Sequence, residues 1–134
     1  MSARHPKALA WERRLKRVFD GIDAELEAAY GDRYPLHPVR ARRGRTADPA
    51  HDGLFDLGAA FSAGYGSEHG AGYIVRLRLA TLARVPDSVI EEIEDFVVER
   101  LRAELPAAFP GRDLDVSRDG PVFKIHGDLS LGRV

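Results

Sequence analysis

Two runs of strict alternation constrain this chain more than any other feature: LFDLGAAFS at residues 54–62 and YIVRLRLATL at residues 73–82. In the first, Phe55, Leu57, Ala59 and Phe61 fall on one side, and Asp56, Gly58, Ala60 and Ser62 on the other. In the second, Tyr73, Val75, Leu77 and Leu79 oppose Ile74, Arg76, Arg78 and Ala80. Side chains of a strand alternate with period two, so each run predicts a strand with a single apolar face. A sheet of such strands needs a covering layer on that face alone.

Two amphipathic helices can supply the layer. Between about Pro6 and Tyr30, Trp11, Leu15, Val18, Ile22, Leu26 and Ala29 recur at spacings of three and four, and Gly31 with Pro35 ends the pattern. Gly21 interrupts it at a cost of about 1 kcal/mol relative to alanine. The second helix opens at Pro86-Asp87-Ser88, carries Val89, Ile90, Ile93, Phe96, Val97, Leu101 and Leu105 on one face, and is expected to stop at Pro106. Leu77 and Phe96 are expected at the centres of their apolar faces. Three further strands are expected: LHPVRARR (36–43), with Pro38 at its start or on an edge, then DLDVS (113–117) and VFKIH (122–126), joined through Arg118-Asp119-Gly120-Pro121, whose Asp-Gly signals a hairpin. The order is helix, three strands, helix, two strands. It predicts an α+β two-layer sandwich over residues 1–134, a single domain, with a largely antiparallel sheet and both helices on one face.

The totals narrow the function classes. A chain of 134 residues, 44% hydrophobic and 31% charged, is one globular domain's worth. It contains no cysteine, which excludes disulfides, thiolate nucleophiles and cysteine-type zinc sites. No apolar run is long enough for a signal-peptide core or a membrane span, so a cytoplasmic, non-membrane protein is expected. The net charge of −1 hides an asymmetry. Residues 1–45 hold 11 basic and 6 acidic side chains, whereas residues 46–134 hold 9 and 15. The halves can neutralise each other in the fold, or the basic half can meet an acidic partner.

Known motifs fail on spacing. In SAGYGSEHGAGYIVRL (62–77), Gly64 and Gly66 are not followed by the Lys-Ser or Lys-Thr of a phosphate loop, and His69 stands where a dinucleotide fingerprint needs its third glycine. The stretch also lies between two strands, where neither motif belongs. It reads as a wide hairpin loop, with Glu68 and His69 at its tip as candidate ligand-binding residues. Asp115, Ser117, Asp119 and Gly120 begin like a calcium loop, but His126 occupies the place of the bidentate glutamate. His126-Gly127-Asp128 is similar to the catalytic His-Gly-Asp stretch of aminoglycoside-phosphotransferase-like kinases. Arg133 nonetheless stands where that family's magnesium-binding asparagine would be, and a two-lobed kinase does not fit in this length.

Two surfaces remain as candidates. One is the outer sheet face, where alternation places Arg40, Arg42, Arg76, Arg78, Lys124 and His126, with Asp56, Asp113 and Asp115 among them. Because no aromatic residue falls on this face, a nucleic-acid partner is not expected. If the last strand continues, His126 and Asp128 point the same way, and with Glu68 and His69 folded over them they would form an acid–base or metal-assisted site. The other surface is Arg13, Arg14, Lys16 and Arg17, set against the positive end of the first helix dipole. The expectation is a non-catalytic binding or assembly module, with no cofactor or metal. Its partner is a second copy of itself or an acidic protein, and the alternative is the small enzyme at His126 and Asp128.

Overall fold

The computed structural model describes residues 6–64 and 69–129. Helix α1 spans Pro6–Tyr30, a single 3-10 turn covers Pro49–His51, and strands β1 (Phe55–Ser62) and β2 (Gly72–Leu79) follow. Helix α2 (Asp87–Ala108) then leads to β3 (Leu114–Asp119) and β4 (Val122–Gly127). The strands form one sheet in the order β1-β2-β4-β3, antiparallel throughout. This is the expected α+β sandwich.

Both helices cover the face that carries Phe55, Leu57, Val116 and Ile125. From α1 come Trp11, Leu15, Phe19, Ile22 and Leu26; from α2 come Ile93, Val97, Val98, Leu101 and Leu105, all buried in the same cluster. Burial of this apolar area is the main favourable term in the fold. Leu77 and Phe96 are only partly buried and pack against the cluster. The centre belongs instead to Leu57, Ile93 and Leu101, each at most 1% exposed.

The helices run in opposite directions. Arg14 Nη1 donates to Ala108 O near the start of α1 and the end of α2, Arg100 pairs with Glu25 at 2.9 Å, and Arg33 with Glu92 at 3.6 Å. The basic start of α1 therefore lies beside the carbonyl end of α2, whose partial negative charge offsets it. Pro106 does not stop α2. It sits in the last turn, where its missing N–H removes one bond, and the helix closes when Phe109 N–H donates to Leu105 O at 2.8 Å. Phe109 then packs on Trp11, with ring centroids 4.0 Å apart.

Residues 36–43 do not form a strand of the sheet. Only Ala41 makes a bridge, a parallel one to Asp52. The physical reason is competition: Pro35 and Pro38 have no N–H to donate, and the Arg40 side chain takes up carbonyls that a strand partner would use. β3 and β4 are joined by Gly120 and Pro121 alone, with Gly120 at φ 63°, as a two-residue hairpin requires.

Candidate functional site

The outer sheet face has two halves. Register places Asp56, Gly58 and Ala60 of β1 beside Arg78, Arg76 and Ile74 of β2. Arg76 reaches Asp56 diagonally at 3.2 Å and lies across Gly58, where a Cβ would come within 2.8 Å of its guanidinium. Arg78 is exposed, and no carboxylate lies within ion-pair distance of it among the described residues. This half stays open to solvent.

The other half is covered. Lys124, expected as an exposed base, is 2% exposed. It pairs with Asp119 at 2.9 Å and donates to Gly70 O at 2.9 Å. The end of the glycine-rich stretch lies over it. Gly72 makes this approach possible, because a Cβ there would overlap Ile125 O and stand 2.8 Å from the Lys124 stem.

The same stretch brings His69 onto His126, with ring centroids 4.4 Å apart and planes 16° from parallel. His69 Nε2 lies 3.0 Å from Arg118 O, so that nitrogen carries the proton and donates. Ser117 Oγ donates to Asp115 Oδ2 at 3.1 Å and lies 2.9 Å from His126 Nε2, which is therefore also a donor. This order is the reverse of a nucleophile triad, where the hydroxyl gives its proton to the imidazole. The Asp115 carboxyl is held below the usual carboxylate range by the Val116 N–H, against the opposing effect of burial, with Ser117 and Arg102 adding to the depression.

Asp128 does not join His126. β4 ends at Gly127, whose φ of 116° breaks the period of two, and Asp128 turns to Arg112 at 3.4 Å. Glu68 lies outside the described residues. Among the described residues, no group of three or more His, Cys, Asp or Glu side chains is placed to hold a metal ion.

Arg40 and Arg42 are not on the sheet face, because their segment is not a strand. Arg42 is exposed, whereas Arg40 caps the start of β1. Its guanidinium donates to the carbonyls of Ala50 (2.7 Å), Gly53 (2.9 Å), Phe55 (2.9 Å) and Asp52 (3.1 Å).

One cluster was missed by the sequence reading. Arg43 pairs with Asp23 at 2.7 Å and lies 3.5 Å from Asp52, and both carboxylates are 1% exposed. Burial, reinforced by the charges of Glu27 and Asp20 and opposed by Arg43, pushes the Asp23 carboxyl up to about 7. Burial would also raise Asp52, but the Thr46 N–H and hydroxyl donate to its Oδ2 and hold it below the ordinary value. Glu27 Oε1 accepts from Phe55 N–H at 3.0 Å. The cluster clasps residues 40–55 against α1. A signal for it exists in the sequence: Asp23 follows Phe19 by four and Ile22 by one, so it falls on the buried stripe.

Where β2 ends, an open groove of about 540 Å³ runs between that strand and residues 37–41. Arg78, His37, His51, Val39 and Thr81 are among its walls, and among the described residues no carboxylate side chain is.

The family model that matches this chain is described as "Uncharacterised protein" and covers residues 6–127. A protein of Borreliella burgdorferi, printed as "Uncharacterized protein", is 39% identical over 106 residues, which is 79% of this chain and 83% of the relative. No solved structure matches. Among the described residues, no helix is long and apolar enough to cross a membrane.

Proposed function

The chain belongs to that family of uncharacterised proteins, and we propose that this member is a small non-catalytic binding module that docks an acidic protein segment at the basic end of its bare sheet face. The observation that carries this reading is the groove at the end of β2. It presents Arg78 free of any ion pair among the described residues, with two histidines and a threonine beside it and no carboxylate in its walls. A guanidinium in such a place takes a carboxylate by two parallel hydrogen bonds without first breaking a pair of its own. Val39, 87% exposed at the same groove, offers an apolar contact between the charged ones. A short segment that alternates acidic and apolar residues fits both. Arg76 is half-engaged with Asp56 and serves as a secondary contact.

The test is calorimetric titration of the protein with a glutamate-rich peptide at low salt. Arg78→Glu is expected to weaken binding about tenfold or more, or roughly 1.4 kcal/mol. Raising the ionic strength should weaken the wild type in the same direction. Equal binding by wild type and Arg78→Glu would sink the reading. A second reading, an acid–base enzyme, rests on the stacking of His69 on His126. It predicts the opposite pattern: His126→Ala would abolish turnover and leave peptide binding intact.

A further inference from the structure

We propose that β1 is the contact strand of a symmetric homodimer, pairing antiparallel with the β1 of a second copy across Ala59–Phe61, with each Phe61 entering a hollow beside its partner's Ala59. β1 is an outer strand of the sheet. Ala80 N–H donates to Leu54 O, which continues the β1–β2 register by one step. The even-numbered residues of β1 therefore bond to β2, and the odd-numbered ones turn their N–H and C=O away from it. At Phe55 these outward groups are occupied, the N–H by Glu27 and the C=O by Arg40. At Ala59 and Phe61 they have no partner among the described residues. An outer strand with open groups is a template for another strand.

The occupant is a second copy, for three reasons. First, residues 57–63 carry no charge, so two copies bring no like charges together, while an acidic or basic partner finds no counter-charge there. Second, the knob and the hole lie on one strand. Phe61 is 63% exposed on the helix side of the sheet, and a hollow of about 220 Å³ lies two residues away, walled by Leu15, Phe19, Ala59 and Tyr73. The two-fold register that sets Ala59 opposite Phe61 of the partner strand directs each ring at the other copy's hollow and forms four backbone hydrogen bonds. Third, among the described residues the one cation on the rim of the hollow, Lys16, is already engaged by Asp20 and Asp48, so the rim does not recruit an acidic partner in place of a second copy. Two phenylalanines and four backbone bonds make a contact below the usual size of a specific interface, about 1,200–2,000 Å², so the dimer is a weak one.

In this register Ala60 faces its own symmetry mate as a non-hydrogen-bonded pair, with Cα atoms about 4.5 Å apart, within the range that a disulfide bridges. Because the chain has no cysteine, Ala60→Cys reports that approach without interference. Under mild oxidation, Ala60→Cys should form a covalent dimer at least about tenfold faster than Ala29→Cys, which is exposed on α1 and has equal access to oxidant. Adding Phe61→Lys to Ala60→Cys should remove the advantage while circular dichroism shows an unchanged fold. Sedimentation of the wild type should show reversible dimers between about 10 μM and 1 mM, the range expected of so small a contact. A monomer at 1 mM, or cross-linking of Ala60→Cys no faster than of Ala29→Cys, overturns the proposal.

Discussion

Lys124 and Arg76 sit on the same face of the same sheet, each beside an aspartate, yet one is buried and the other is wet. Their strands have the same alternation. The difference is made by residues 69–72, which lie over Lys124 and leave Arg76 uncovered. A basic residue at a polar strand position is thus a surface charge in one half of the face and a structural ion pair in the other. Alternation assigns the side of the sheet, and the neighbouring loop decides what that side does.

The comparison breaks most sharply at Lys124. Lys124→Ala takes the cation away from the largely buried Asp119 carboxylate and should destabilise by about 3–5 kcal/mol. Arg76→Ala, its open counterpart, should cost less than about 1 kcal/mol. Urea denaturation of the two variants side by side checks the contrast, and similar losses would mean that the loop does not seal Lys124. Gly72→Ala addresses the seal itself. Its Cβ meets the Ile125 carbonyl and the Lys124 stem, so a loss of about 1–3 kcal/mol is expected.

Changing the pH tests the other buried acid, Asp23. Its carboxyl moves from an ordinary 3.8 to about 7 in the folded protein. The folded chain therefore holds a proton that the unfolded chain releases between those two values. Its contribution to stability is complete below pH 3.8, falls through the interval and is lost above pH 7. Asp23→Asn should flatten that part of the profile, so that the melting temperature of the variant gains on the wild type as pH rises from 4 to 7. A constant difference between the two curves would show that Asp23 ionises normally. The smallest change is on the outside of α1. Gly21 has open space where a Cβ would stand, and Gly21→Ala should stabilise by about 0.5–1 kcal/mol in the same denaturation assay.

The architecture was legible because it rests on periodicity. Leu57, Val97 and Leu101 are buried as their spacing predicts, and the hairpin at Gly120-Pro121 follows from turn chemistry. What was not legible depends on side chains crossing between elements. Arg40 reads as a strand residue until its guanidinium is seen holding four carbonyls. Asp128 reads as a companion of His126 until Gly127 turns the chain. In the sequence the approach of His69 to His126 is only a condition, the loop folding over the last strand, since no local rule places a glycine-rich connection over a particular strand. Asp23 is one of four acids in the second half of α1, with Asp20, Glu25 and Glu27, and only its place on the buried stripe sets it apart.

The join between β2 and β4 involves only Tyr73–Val75 and Phe123–Ile125. The sheet is accordingly two ribbons stitched by a short seam. β3–β4 closes over a two-residue turn, and β1–β2 over a single loop, so each ribbon assembles from contacts close in sequence at little entropic cost. The seam joins Tyr73 to Ile125, 52 positions apart. Because the seam carries the longer loop closure, substitutions that weaken it are expected to slow folding more than equal losses inside either ribbon.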